Sequence, residues 1–179
     1  MIPEAPLEDD GHGLVPRGEG WFVVNSREAP WRYGPNRGAL CFYEGDVGFS
    51  QLGINVSVLE PEQVMSLYHW EADQEDFLVV SGDALLLVEG EERPLRAWDF
   101  VHCPAGTKHT IVGAGDGPCV IVSVGARVLS ITDDWGGYVP DEASARHRAS
   151  VAEPSNDAET AYDEIGHRET VRYDGWLPG

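Results

Sequence analysis

The chain has 179 residues, with 31 acidic against 12 basic side chains and a formal net charge of −19. This charge repels the phosphates of nucleic acids and anionic membrane surfaces, so we expect neither as a partner. No apolar run reaches the roughly 18–20 residues that span a bilayer, and residues 1–10 lack the basic and apolar segments of a secretory signal. The three cysteines, Cys41, Cys103 and Cys119, form no CxxC motif. Their odd number argues against a disulfide scaffold and predicts a cytoplasmic location.

Short apolar runs alternate with turn sequences over most of the chain. The 21 glycines and 12 prolines fit a protein of short strands and turns. Strands of this length and spacing indicate a sandwich or a barrel, and no window between residues 20 and 131 shows a sustained helical period. The predicted strands cover, in chain order, residues 21–24, 39–43, 54–59, 64–70, 77–80, 84–89, 94–98, 99–103, 109–113 and 119–125.

Composition divides the chain into three parts. Residues 20–131 hold nearly all the β-branched and aromatic runs and form the predicted folded body. Residues 1–19 and 132–179 are acidic and are expected to form arms with weaker structure. Within the second arm, residues 141–148 and 157–164 predict two short helices, because each segment begins with an acid that the helix dipole favours.

Two histidines and two glutamates occupy positions that can converge. Residues i and i+2 of a strand point to the same side, so His69 and Glu71 should face one way. Glu75 lies four residues later at the head of a predicted strand, and His109 opens another strand after the turn sequence PAGT. Two imidazoles with one or two carboxylates inside a barrel form a site for a first-row divalent metal.

The segment around His69 resembles the first motif of the cupin superfamily, which reads G-x5-H-x-H-x3/4-E-x6-G. His69, Glu75 and Gly82 match the family residues at the family spacing. Two positions depart from the motif. Gln63 replaces the opening glycine, and Glu71 stands where the family's second histidine usually lies.

A second segment resembles the other cupin motif, which reads G-x5-P-x-G-x2-H-x3-N. Pro104, Gly106 and His109 match it, and both motifs occur in the family's order. Trp98 replaces the first glycine and Gly113 replaces the asparagine. The resemblance implies an all-β fold, namely a cupin-type double-stranded β-helix or jelly-roll barrel, here with an N-terminal arm and a partly helical C-terminal arm.

The family's ligand positions map to His69, Glu71, Glu75 and His109, which implies a divalent metal ion. This set of two nitrogens and two oxygens is harder and more anionic than the usual one, and favours Fe, Mn or Zn. The alternative is a barrel that has lost its metal, with Glu71 paired to a base or facing solvent. Cupins commonly pair, so the resemblance also implies a homodimer.

Three side chains near the proposed ligands are weaker candidates for the metal site. Asp76 could replace Glu75 as a ligand, but it breaks the six-residue spacing to Gly82. A structural role is favoured for His102. Cys103 is expected to be a small buried apolar residue, since that is the common role of a free cysteine.

Strand alternation also predicts the wall of the cavity. The side chains expected to point inward beside the ligands are Met65, Leu67, Phe77, Val79 and Ile111. This wall is mainly apolar, as in most ligand sites. No basic residue of the body is predicted to point inward beside the metal. The expected substrate is therefore a neutral or weakly polar small molecule, because a phosphorylated sugar needs a cation to offset its charge.

Tyr68 and Trp70 should lie on the outer face, since they alternate with the proposed ligands. Two exposed large aromatic residues are rare on a soluble monomer. We therefore expect the N-terminal arm, the C-terminal arm or a second subunit to cover them.

The resemblance implies a metal-dependent enzyme, with dioxygenase and isomerase or epimerase chemistry both open. Glu71 and Glu75 are the catalytic candidates. The alternative from another class is a non-catalytic module that binds or senses a small ligand, because one fold hosts many functions.

Overall fold

The computed structural model describes residues 1–34, 36–129, 135–163 and 165–179. Within these ranges the chain forms fourteen strands and two short helices. The strands are β1 (Leu7–Asp9), β2 (Leu14–Pro16), β3 (Pro30–Gly34), β4 (Arg37–Phe42), β5 (Leu52–Leu59), β6 (His69–Glu71), β7 (Glu75–Ser81), β8 (Asp83–Val88), β9 (Glu91–Arg96), β10 (Phe100–Cys103), β11 (His109–Ala114), β12 (Cys119–Ala126), β13 (Gly136–Tyr138) and β14 (Glu169–Arg172). The helices are α1 (Glu142–Arg146) and α2 (Ala158–Tyr162). Each has five residues, so none in the described ranges reaches the length of a membrane-spanning helix.

Two antiparallel sheets form the barrel. The larger sheet has the strand order β10-β7-β12-β5-β4-β3-β14, and the smaller one has the order β13-β6-β11-β8-β9. Strands β1 and β2 form a separate hairpin-like pair. The predicted all-β double-stranded β-helix is confirmed, and strands distant in sequence become neighbours in both sheets.

The barrel interior is an apolar core shared by the two sheets. Its buried members are Leu59, Met65, Phe77, Val79, Ala84, Leu86, Leu95, Cys103, Ile111, Cys119 and Ile121. Alternation along β7 places Phe77 and Val79 inside, and burial of each such side chain stabilises the fold by roughly 1.5–3 kcal/mol. Gly82 makes the turn from β7 to β8 with φ +77°, where a Cβ atom would lie 2.5 Å from the Pro118 carbonyl oxygen. The tight turn therefore requires the glycine of the first motif.

The C-terminal segment covers the outer face of the smaller sheet. Tyr68 is 2% exposed and packs in a cluster with Leu87, Val112 and Ala149. Its hydroxyl accepts a hydrogen bond from the Gly90 N–H at 3.2 Å. The prediction that an arm covers Tyr68 is confirmed, and the covering residues come from the C-terminal side.

Trp31 occupies a second cluster, on the outer face of the larger sheet. It is fully buried and stacks on Tyr173 with ring centroids 4.3 Å apart. Trp31 lies on β3 and Tyr173 directly follows β14, so this stack joins the two neighbouring strands at one edge of the larger sheet.

Two predicted strands differ from the structure. In residues 21–24 only Trp21 makes an isolated bridge, to Glu4. Of residues 64–70, Val64 makes isolated bridges and the last two residues belong to β6, because the chain bends between them. The bend breaks the alternation, so the predicted inward position of Leu67 was wrong: it packs against residues of the C-terminal segment instead.

The two predicted C-terminal helices are present. The Asp141 carboxylate accepts a hydrogen bond from the Ser144 N–H at 2.7 Å and begins α1. Asp157 accepts one from the Glu159 N–H at 3.0 Å and begins α2. The predicted boundary between residues 131 and 132 falls outside the described residues.

Candidate metal centre

Three of the four predicted ligands meet at one end of the barrel. His69 opens β6, Glu75 opens β7 and His109 opens β11, and the two histidines are directly paired across β6 and β11. One possible ligand atom from each of the three residues lies within 4.8 Å of the others. The cluster is buried, with His109 only 1% exposed. Strand starts that face one another therefore bring together residues that are 40 positions apart.

Backbone carbonyls orient both imidazole rings. The Nδ1 of His69 is 2.8 Å from the Leu67 carbonyl oxygen, and the Nδ1 of His109 is 3.0 Å from the Thr107 carbonyl oxygen. A ring that donates through Nδ1 keeps Nε2 for the site, and such contacts fix the tautomer of metal-binding histidines. The Nε2 atoms of His69 and His109 lie 3.7 and 3.1 Å from Glu75 Oε2.

Two atoms of the cluster are buried without a well-directed hydrogen bond. They are Glu75 Oε2 and His109 Nε2. Burying a polar atom without a partner costs free energy, and coordination to a metal ion would remove that cost. The donor set of two imidazole nitrogens and a carboxylate oxygen suits Fe, Mn or Zn. The residues present therefore fit the metal ion that the sequence predicts.

Charge compensation holds the cluster together. Burial alone would raise the pKa of Glu75, but hydrogen bonding to His109 and His69 lowers it to about 2. Burial alone would lower the pKa of His109, but its contacts with Cys103 and Glu75 raise it to about 10. Without a metal, the carboxylate and the protonated imidazole neutralise each other.

Glu71 lies beside the three-residue cluster and is not part of it. Its Oε1 is 3.8 Å from His69 Nε2, and its side chain is 21% exposed. Burial and the neighbouring charge of Glu75 raise the pKa of Glu71 to about 8. Without a metal ion, the carboxyl group of Glu71 is therefore harder to ionise than a free carboxyl group.

The weaker candidates for the metal site lie outside the three-residue cluster. Asp76 faces away from the cluster, because its Oδ1 is 2.6 Å from Nδ1 of the half-exposed His102. Residues 76 and 102 are opposite each other in the pair of β7 and β10. Cys103 is buried in the barrel core, as predicted.

A cavity of about 320 Å³ opens from the cluster. Its aromatic wall includes Phe77, Trp135 and Tyr138, and the ring centroid of Tyr138 is 5.9 Å from that of His69. Tyr138 belongs to β13, so the C-terminal segment contributes to the wall. Sequence alternation within the barrel could not indicate this contribution.

Two arginines line the same cavity. They are Arg37, the first residue of β4, and Arg168, which precedes β14. The expectation that no cation lies beside the cluster was wrong. Arg37 precedes the apolar run that predicted β4, and Arg168 lies in a segment that was interpreted as an arm. Leu40 is opposite the inward Ser57 in the pair of β4 and β5, but Arg37 is three residues from Leu40, so strand alternation does not predict that Arg37 lines the cavity.

A family model for the cupin domain matches residues 55–125, the part that holds all four predicted ligands. A predicted oxalate decarboxylase from Thermotoga maritima has a similar structure, with 20% identity over 59% of this chain and 99% of that chain and a TM-score of 0.52. The chain belongs to the cupin superfamily. No curated protein matches it.

Two further similar structures share more sequence with this cupin. A putative sugar phosphate isomerase from Acidithiobacillus ferrooxidans is 30% identical over 46% of this chain and 54% of that chain, with a TM-score of 0.43. A sugar phosphate isomerase from Silicibacter pomeroyi is 30% identical over 59% of this chain and 71% of that chain, with a TM-score of 0.46. The cupin therefore matches about half the length of the first of these.

Proposed function

We propose that this cupin is a metal-dependent enzyme acting on a small organic molecule, with His69, Glu75 and His109 as metal ligands. The observation that carries the proposal is the convergence of three ligand atoms, two of which are buried without a directed hydrogen bond. Glu71 is proposed as a fourth ligand or as an acid–base group, since its carboxyl group borders the cluster.

A bound Fe, Mn or Zn ion would supply Lewis acidity and open positions for a substrate oxygen. The protein's own groups do the rest. The carbonyl contacts at Nδ1 hold the two imidazoles in place, and the aromatic wall limits access of water. Glu71 can give a proton to a substrate carbon or oxygen and take one back, because its carboxyl group borders the cluster, with Oε1 3.8 Å from His69 Nε2.

Two reaction types remain within the proposal. Isomerisation or epimerisation is supported by the position of the Glu71 carboxyl group beside the cluster, where it can move a proton. Dioxygenase chemistry is supported by the set of two histidines and one carboxylate, a pattern that binds iron in oxygenases. Oxygen uptake by the iron-loaded protein with candidate substrates separates the two.

Metal analysis of the purified chain tests the proposal. After reconstitution with Fe, Mn or Zn, we expect about one ion per chain in the wild type and a roughly 100-fold weaker affinity in His109→Ala. His102→Ala is the matched control, because His102 faces away from the cluster. Metal content in folded His109→Ala equal to that of the control would refute the site. Substoichiometric metal in the reconstituted wild type would favour a binding module instead.

We also propose a homodimer and a cytoplasmic location. Trp98 and Phe100 are 75% and 65% exposed next to the edge strand β10, and such pairs of large apolar residues are uncommon on monomers. The three cysteines are free and buried, which fits a reducing compartment. Sedimentation equilibrium at micromolar concentration checks the assembly, and a single species of monomer mass would contradict the dimer.

A further inference from the structure

Arg37 is a buried cation that faces the cavity without a counter-ion. It is 9% exposed, and its Nε makes no hydrogen bond. Its guanidinium carbon lies 3.6 Å from the centroid of the Tyr162 ring, so one face of the group is covered. Among the described residues, no carboxylate pairs with it. The edge of the guanidinium therefore remains available to a ligand.

Arg168 lies close to Arg37 and is anchored by backbone carbonyls. Its Nε donates to the Gly38 carbonyl and its Nη2 to the Met65 carbonyl, both at 2.9 Å. These bonds fix the side chain but do not neutralise it. A guanidinium has five N–H donors, so three are left for another acceptor. In the described part of the chain, this arginine has no carboxylate partner either.

The arginines outside the cavity differ from these two in their partners. Most of them form ion pairs with carboxylates. These pairs join Arg17 to Glu8 and Asp46, Arg93 to Glu91, Arg127 to Glu44, Arg146 to Glu92, Arg148 to Glu62 and Arg172 to Asp9. In a chain with 31 acidic residues, a buried Arg37 beside a half-buried Arg168, neither with a carboxylate partner in the described ranges, is the exception.

Keeping two cations together in a buried place costs free energy. Burial and repulsion from Arg37 lower the pKa of Arg168 to about 9. Burial likewise lowers the pKa of Arg37. An anion between the two guanidinium groups would offset both the repulsion and the lost hydration.

The two arginines lie where the cavity widens toward solvent. Both line the cavity that contains His69 and Glu75, and both also line an outer cleft of about 510 Å³. Arg32 and His167 lie along that cleft as well, and its one carboxylate in the described residues is Glu159. The cavity thus has carboxylates and histidines at its deep end and arginines near its mouth.

We propose that Arg37 and Arg168 bind an anionic group of the substrate, a carboxylate or a phosphate, while the reacting part of the same molecule reaches the cluster of His69, Glu75 and His109. The inference rests on the proposed function and names its substrate class. Guanidinium groups match the paired oxygens of both anions. The substrate is therefore an organic acid or a phosphate ester, in place of the neutral molecule that the sequence suggested.

Anion binding to the full-length, metal-free protein tests this inference. Inorganic phosphate and malonate are titrated by calorimetry at constant ionic strength, with chloride as the background anion. We expect saturable binding of at least one anion to the wild type, and about tenfold weaker binding in Arg37→Gln and Arg168→Gln, since each substitution removes a positive charge and its charge-assisted hydrogen bonds. The preferred anion identifies the group, phosphate or carboxylate.

Arg93→Gln is the matched control, because it removes the same charge from an exposed side chain. It should bind the anion like the wild type. Absence of saturable binding to the wild type would overturn the inference, as would wild-type affinity in folded Arg37→Gln and Arg168→Gln. The wild-type titration tests the inference even where a variant fails to fold.

The metal content of the same variants separates this inference from the proposed function. Arg37→Gln should keep its metal, and metal-free His109→Ala should keep its anion affinity. Absence of saturable anion binding in a wild type that takes up about one metal ion per chain would contradict only the substrate class. Normal anion binding in a wild type that takes up no metal would contradict only the proposed function.

Discussion

The deep end of the cavity and its mouth are built by different parts of the chain. His69, Glu75 and His109 each open a barrel strand, and of these three strands β6 also pairs with β13 of the C-terminal segment. At the mouth, Arg37 comes from the barrel sheet, whereas Arg168 comes from the C-terminal segment. We propose that barrel strands supply the reaction chemistry and that the C-terminal segment, through Arg168, helps to select the substrate.

Substitution of Tyr162 should have the largest effect on the mouth of the cavity. Its ring lies under Arg37 and its hydroxyl accepts a hydrogen bond from the Leu67 N–H at 3.1 Å. Tyr162→Leu should lower the free energy of unfolding by about 2–3 kcal/mol, since it removes a cation–π contact and a buried hydrogen bond. It should also weaken anion binding and leave metal content unchanged. Urea denaturation and calorimetry measure these effects.

Tyr162→Phe is the control for that change. It keeps the ring under Arg37 and loses only the hydroxyl, so stability should fall by about 1 kcal/mol while anion affinity is retained. Equal anion affinity in folded Tyr162→Leu and in the wild type would show that the mouth does not depend on this contact.

The pH dependence of metal affinity tests the cluster at the deep end of the cavity. A metal ion that binds to His109 must displace its proton, because the pKa of His109 is raised to about 10. If Glu71 is also a ligand, the metal ion must displace its proton too, because the pKa of Glu71 is raised to about 8. Affinity should therefore rise with pH, because metal binding releases protons. With Glu71 as a ligand, the release falls from about 1.9 protons at pH 7 to about 1.5 at pH 8, and without Glu71 it stays near one proton.

Glu71→Gln is the matched variant for this measurement. It should reduce the number of released protons by about one, as followed by calorimetry in buffers of different ionisation enthalpy. Proton release that is the same in the variant and in the wild type would exclude Glu71 as a ligand. An affinity that falls from pH 7 to pH 8 would contradict the displacement of the His109 proton.

Glu71→His gives the smallest expected change and restores the family's usual residue. A third imidazole is softer than a carboxylate, so the preference should shift by several-fold toward Ni and Zn over Mn. Competition between these metals, with wild type and variant compared side by side, measures the shift. An unchanged preference would place Glu71 outside the coordination sphere.

The two ends of the cavity also differ in how far the sequence predicts them. The spacing from His69 to Gly82 and from Pro104 to His109 lies within single strands and tight turns, so local geometry determines it. The packing of Leu67 against the C-terminal segment could not be predicted, because a bend interrupts the strand before β6.

The mouth depends on long-range packing. Arg168 reaches Gly38 and Met65, more than a hundred residues away, and the return path of the C-terminal segment determines that contact. Single-sequence periodicity carries no information on such a path. The sequence therefore predicted the ligand cluster and missed the cations, which led to the expectation of a neutral substrate.

We propose that the metal cluster and the two arginines bind the same molecule. Phosphorus NMR of phosphate with the Mn(II)-loaded protein tests it most directly, because the paramagnetic ion accelerates relaxation only of nearby nuclei. We predict faster relaxation of bound phosphate in the wild type and in Arg93→Gln, and loss of this effect in Arg37→Gln and in His109→Ala. Saturable phosphate binding with relaxation equal to that of the Mn-free protein would contradict a shared site.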